Sequence, residues 1–241
     1  MGTALVTNKK EFITELHESH VMPRSFTQGE VIMSHWKDNY ASIFVEEGIL
    51  KMTSDDSSGT VFNLQHISSE QLILSNSIVD DEVMCKYDLE VVSETVKIYF
   101  ITAEDLKYFV CHSKGALLYT VNSLQKQVTF LWSKLSDFSI NGKIGSLCGQ
   151  LLIWSYLFGE KRETEITIQL KVTLQDLGYA CGIAHISAVS RLLAHLKKEN
   201  AIRVQKGQIS ILDLEKLKEY SPKIEEWFKL NELEKWSKLN E

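Results

Sequence analysis

Between residues 112 and 138 the apolar side chains Leu117, Val121, Leu124, Val128, Leu131 and Leu135 recur at alternating spacings of four and three. Such an a/d seam, held over about three heptads, predicts a long helix that pairs with a second helix as a coiled coil. Upstream, from about Phe26 to Phe100, the pattern is different. Short runs such as Tyr40-Ala-Ser-Ile-Phe-Val45, Ile49-Leu-Lys-Met52 and Val61-Phe-Asn-Leu64 are separated by turn clusters, among them Asp55-Asp-Ser-Ser-Gly59. Strands at that spacing predict a small antiparallel barrel or roll.

Downstream, residues 173 to 202 change period again. Thr173 stands as an N-cap before an inward pair, Leu174 and Leu177, and Gly182 sits where the chain reverses at about residues 180 to 183; only glycine adopts positive φ at little cost. A second helix follows, with Val189, Leu192, Leu193 and Leu196 on one buried face. Its opposite stripe is Ser187, Arg191, Ala194 and Lys198, with Ser190 and Lys197 at the margins. Two helices about a tight turn, the second with one polar, cationic face, form a helix-turn-helix. The segment from Ile202 to Leu212 then alternates apolar and polar residues around Lys206-Gly207, a hairpin signal. Helix, turn, helix and hairpin together predict a winged helix.

The expected fold class is therefore α+β: a β-roll over residues 1–111, a dimerisation helix over 112–138, and a winged helix-turn-helix with a helical extension over 139–241. In that extension Leu214, Leu217, Ile224, Trp227, Phe228 and Trp236 lie among charges, which predicts short amphipathic helices packed back onto the wing.

Charge sharpens the functional expectation. The chain of 241 residues carries a formal net charge of −6, yet between Lys171 and Lys206 six cations (Lys171, Arg191, Lys197, Lys198, Arg203, Lys206) face only Asp176 and Glu199, a local charge of +4. A basic patch on an acidic protein points to one DNA-facing end. Arg191 is the candidate for base readout, since a guanidinium grips guanine O6 and N7 together.

Other chemistries find little support. No His pair has metal-binding spacing, and neither G-x-S-x-G nor a phosphate-cradling Gly-rich loop occurs, so no catalytic residue and no metal ligand is expected. The acidic pairs Asp55-Asp56 and Asp80-Asp-Glu82 read as solvated turns. Cys85, Cys111, Cys148 and Cys181 are scattered and read as buried thiols; Cys181, beside the turn, would sense oxidation only if exposed with a lowered pKa. No apolar run suits a signal peptide or a membrane span, so the chain reads as cytoplasmic, with no membrane partner.

A strand-rich roll containing Phe26-Thr-Gln-Gly-Glu-Val-Ile32, a long helix and a C-terminal winged helix together resemble the Crp/Fnr family of bacterial transcription regulators. Within it the likeness to one virulence-gene activator is closer, through the stretch Asp137-Phe-Ser-Ile-Asn-Gly-Lys-Ile-Gly-Ser-Leu-Cys-Gly-Gln-Leu-Leu-Ile153, Gly182-Ile-Ala-His185 and Ala188-Val-Ser-Arg191, with Leu124-Gln-Lys-Gln-Val128, Asn63-Leu-Gln65 and Glu226-Trp-Phe228. The resemblance implies an activator that binds a short palindrome as a homodimer and recruits RNA polymerase. It implies base contacts for Ser187 and Arg191, and phosphate or groove-wall contacts for Thr173, Gly182 and His185. Ile186 departs from the pattern, standing where that activator has serine, and would meet a thymine methyl.

For the regulatory ligand, cyclic AMP is not expected, because the stretch from His66 to Met84 has no arginine to meet a phosphodiester. The resemblance instead implies glutathione in a tunnel between roll and DNA domain, at positions corresponding to Gln65, His66, Ile67, Ser68, Lys126, Gln127, Phe130, Phe158 and Trp227. Phe130, Phe158 and Ser68 replace two tyrosines and a lysine of that activator, which points to a more apolar thiol or peptide. Two other readings keep the same residues in play: a haem or redox sensor using His66 and Cys85, and a protein-interaction module whose wing and tail bind a partner in place of DNA.

Overall fold

In the computed structural model, residues 2–32, 40–55, 61–74, 87–162, 164–170 and 172–230 are described, with side chains from residue 8 to residue 229. Cys85, Lys171, Trp236, the Asp80-Asp-Glu82 turn and most of the Asp55–Gly59 turn lie outside the described residues. The chain divides into two units, Met1–Gln127 and Val128–Glu241.

The first unit opens with α1 (Gly2–Glu18), followed by β1 (Arg24–Thr27), β2 (Tyr40–Glu47), β3 (Leu50–Asp55), β4 (Val61–Ile67), β5 (Gln71–Leu74), β6 (Asp88–Val91) and β7 (Thr95–Thr102), then α2 (Ala103–His112) and the start of α3. The strands form two antiparallel sheets, ordered β1-β7-β2-β5 and β4-β3-β6. Ile43, Val45, Leu50, Met52, Ile67, Leu89, Val91, Ile98 and Phe100 share one core, drawn from both sheets. This is the expected roll.

Strand β2 explains why its sequence does not alternate. Ile43 and Val45 face the core between the sheets, while Phe44 joins a second core with Phe12, Leu16, Leu106, Phe109 and Tyr119. A strand covered on both faces reads as a continuous apolar run. The cover on the outer face is helical, from α1, α2 and α3, and α1 is an element the pattern of strands gave no reason to expect. Its sequence signal includes Phe12 and Leu16, one helical turn apart and fully buried.

Helix α3 (Lys114–Phe158) runs on beyond residue 138, where the seam was expected to end. Gly142 is non-helical (φ 60°, ψ −149°) and divides it into runs 114–141 and 143–158. The second run is core: Leu147, Cys148, Leu151, Leu152, Ile153 and Trp154 are buried. After it come β8 (Gly159–Arg162), β9 (Glu165–Ile168), α4 (Leu174–Ala180), α5 (Ile186–Lys198), β10 (Ile202–Gln205), β11 (Gln208–Ile211), α6 (Leu214–Tyr220) and α7 (Ile224–Leu230). The expected wing, β10 and β11, is part of a larger antiparallel sheet ordered β10-β11-β9-β8. Its turn residues Lys206 and Gly207 both have positive φ, 50° and 79°, as a two-residue hairpin loop requires.

The helical extension packs as expected. Leu217, Ile224, Trp227 and Phe228 share a core with the wing residues Ile202, Ile209 and Ile211. The α6–α7 connection is also held to α3 by a buried carboxylate, because Ser221 Oγ and Lys223 N both donate to Asp137. Burial pushes the Asp137 carboxyl above its ordinary value.

Candidate nucleic-acid interface

Helix α4 starts with a capping box. Asp176 N donates to Thr173 Oγ1 at 3.0 Å, and Thr173 N donates to Asp176 Oδ2 at 3.1 Å, so the Thr-x-x-Asp spacing satisfies both ends of the first turn. Leu177 and Ala180 face the core. Leu174 does not. Expected inward with Leu177, it is exposed, because as the first residue of the helix it lies a turn ahead of the packed stretch. The chain then reverses at Gly182 with φ +67°, a conformation that costs any residue with a Cβ.

Helix α5 emerges from that turn with its two faces cleanly separated. Val189, Leu193 and Leu196 are buried and Leu192 half-buried, whereas Ile186, Ser187, Ser190, Arg191, Ala194, Lys197 and Lys198 are exposed. Its N-cap, His185, is exposed and makes no side-chain capping bond. Helix N-termini present unpaired N–H groups and the positive end of the dipole, which suits a phosphate. Among the described residues Arg191, Lys197 and Lys198 enter no ion pair, whereas Arg203, counted in the basic patch, is paired with Glu165. Of the described cations in that patch, those left to face a polyanion are thus those of α5 and Lys206 at the tip of the wing.

Two supports of this surface were not foreseen. Tyr220 Oη lies 3.0 Å from Glu199 Oε2 and 3.2 Å from His195 Nε2, holding the last turn of α5 against α6. Ser146 Oγ donates to Cys181 O at 2.9 Å, directly before Gly182. These pairs are 21, 25 and 35 positions apart, so no local pattern announces them.

The seam residues of α3 are all exposed in the chain: Leu117 and Leu124 at 42 %, Val128 at 48 %, Val121 at 52 %, Leu135 at 53 % and Leu131 at 63 %. Phe138, three positions on, extends the same row at 44 %. An apolar stripe of this length left in water marks an interaction surface.

The candidate ligand residues divide between the units. In the first, His66 and Ile67 are buried on β4, Ser68 N donates to Gln71 Oε1 at 3.2 Å, Gln65 Nε2 approaches the Met52 sulfur at 3.9 Å, and Gln127 Nε2 donates to Leu72 O at 3.2 Å. Lys126 is half-buried. In the second, Phe130 and Trp227 meet at a tilt of 57° in a buried aromatic group, centroids 5.2 Å apart, with Phe228 beside Trp227; Phe158 is half-buried against the same core.

The cysteines fit the thiol reading only in part. Cys148 and Cys181 are buried, but Cys111 is exposed. Burial raises the Cys181 thiol to about 12, so the conditions for a reactive sensor, exposure and a lowered pKa, are not met. Among the described residues no group of His, Cys, Asp and Glu could hold a metal ion, and no helix is long and apolar enough to cross a membrane.

Residues 147–220 match the family described as a Crp-like helix-turn-helix domain. The chain is 40 % identical over 232 residues to the listeriolysin regulatory protein of Listeria monocytogenes, covering 96 % of this chain and 98 % of that one. It is 25 % identical over 215 residues to the lactate racemization regulatory protein of Lactiplantibacillus plantarum, covering 87 % and 96 %. In fold it is similar to a CRP-family transcriptional regulator of Thermus thermophilus, at a TM-score of 0.65 and 16 % identity over 83 % of this chain and 96 % of that one. It is likewise similar to a cyclic nucleotide-binding domain containing protein of Listeria monocytogenes, at 0.66 and 18 % over 88 % and 97 %. A roll, a long helix with an exposed seam, a winged helix-turn-helix and this relationship along nearly the whole chain identify it as a member of the Crp/Fnr family of transcription regulators.

Proposed function

We propose that the protein activates transcription as a homodimer on a short palindromic operator. The carrying observation is α5, whose exposed stripe of Ser187, Ser190, Arg191, Lys197 and Lys198 keeps its cations out of ion pairs among the described residues while its opposite face is core. Arg191 and Ser187 read base edges, and Ile186, 47 % exposed at the first position of the helix, packs on a thymine methyl. Thr173, Gly182 and His185 meet phosphate or the groove wall, and Lys206 at the wing tip adds a phosphate contact. The seam of α3 pairs two copies, which sets recognition helices about 34 Å apart on successive major grooves. RNA polymerase is the partner recruited.

A small ligand shifts the balance between competent and incompetent dimers, acting through Gln65, His66, Ile67, Ser68, Lys126, Gln127, Phe130, Phe158 and Trp227. The candidate is glutathione, and the aromatic character of Phe130 and Trp227 favours a more apolar thiol or peptide. Such a ligand tightens DNA binding only by its preference for the competent state.

Selection of bound duplexes from a random pool, with and without reduced glutathione, tests both levels. A palindromic consensus is expected, and Arg191→Ala is expected to weaken binding to it by about 1–3 kcal/mol, roughly 5- to 150-fold, with little change on scrambled DNA. Equal losses on both duplexes remove Arg191 from base readout. No calorimetric heat and no change in selection with glutathione remove that ligand.

A further inference from the structure

The two carbonyls immediately before Gly182 are both held by side chains of α3. Ser146 takes the Cys181 carbonyl, and Lys134 takes the one before it, with Nζ 3.3 Å from Ala180 O. Ala180 is the last residue of α4, where orphan carbonyls and the negative end of the helix dipole collect. The same ammonium lies 3.3 Å from Oε1 of the buried Gln150 and 5.5 Å above the Phe130 ring. One side chain therefore joins the run of α3 before Gly142, the run after it, and the end of α4, which is 46 positions away.

We propose that Lys134 is a positioning residue for DNA binding, pinning the α4–α5 turn to α3 and so fixing where the recognition helix begins. The recognition helix has no side-chain cap at His185, so its first turn takes its placement from the turn that precedes it. Burial drives the pKa of the Lys134 ammonium down, which means that the site penalises the charge it holds. A methionine of similar length fills such a position at less cost to the fold. A residue that costs stability and grips the turn differs in its effects from packing filler, and that difference is measurable.

The test compares full-length wild type, Lys134→Met and Ser146→Ala by three readouts. These are hydrogen exchange of the amides of Cys181, Gly182 and Ile183 without DNA, the thermal midpoint, and affinity for the duplex that the wild type selects from a random pool, against a scrambled duplex. For Lys134→Met the expected result is exchange at these three amides at least tenfold faster, wing amides unchanged, and a midpoint equal to or above that of the wild type. Its affinity for the selected duplex is expected to fall about tenfold, with the scrambled duplex unaffected, and Ser146→Ala moves the same amides in the same direction. Unchanged exchange at the turn overturns the proposal. So does a uniform rise in exchange with a fallen midpoint, which makes Lys134 ordinary packing. The last readout rests on the DNA-binding reading. A wild type that selects no duplex defeats that reading, whereas exchange at the turn judges Lys134 on its own.

Discussion

Truncating Leu131 to alanine separates the dimer seam from the rest of the molecule. Leu131 is 63 % exposed in the chain, so most of its apolar surface does nothing for the fold of a single copy and remains available to a partner. Full burial of a leucine side chain is worth about 1.5–3 kcal/mol, and the exposed fraction corresponds to about 1–2 kcal/mol per copy. Both copies lose it, so the dimer weakens by about 2–4 kcal/mol, a rise of roughly 30- to 700-fold in its dissociation constant. Ile140 is the control. It is more exposed, at 73 %, on the same helix, but stands outside the four-three spacing of the seam. Sedimentation over a dilution series reads both variants, and Ile140→Ala should dissociate like the wild type. A dimer indifferent to Leu131→Ala, or equally weakened by both changes, refutes the a/d assignment, because generic stickiness would follow exposure and not register.

Two further outcomes follow from local geometry. Thr173→Ala removes one half of the capping box and should cost about 1 kcal/mol in the unfolding transition of the C-terminal unit; an unchanged denaturant midpoint would show that the box does not hold α4. Under native conditions near pH 8, an alkylating agent should label the exposed Cys111 while Cys148 and Cys181 react only after unfolding, since burial holds the Cys181 thiol near 12 and raises that of Cys148. Peptide mapping by mass spectrometry reads this, and native labelling of Cys181 would contradict its burial.

The recognition unit was legible because its determinants are local. Thr173 and Asp176 are three residues apart, Gly182 marks the one reversal, and Lys206-Gly207 closes a hairpin whose strands are adjacent in sequence. The elements that escaped notice depend on distant partners. Helix α1 is a helix of this fold because Phe12 finds Phe44, Phe109 and Tyr119, and strand β9 earns its place by pairing Thr167 with Ser210, whose hydroxyls lie 3.0 Å apart across the sheet. Charge counting failed for a related reason. Arg203 was counted among the DNA-facing cations, but alternation along β10 cannot show that Glu165 on another hairpin neutralises it.

Helix α3 shows why one periodicity could not describe a whole element. Its first run carries an apolar row left in water, from Leu117 to Phe138, while its second run buries Leu147, Leu151, Leu152 and Trp154 in the core that also holds Val189 and Leu196 of the recognition helix. A row that serves a partner keeps the coiled-coil spacing, whereas a run enclosed by its own unit needs no polar face at all. Gly142, with its non-helical backbone, falls between them. The sequence change from heptad to continuous apolar run therefore follows a change of surroundings, from an exposed row to the core of the DNA-binding unit. Lys134 belongs by position to the first run and by contact to the second, through Gln150 and the end of α4. A side chain with that double membership carries no signature in either pattern, which is why only the folded arrangement assigns it a role.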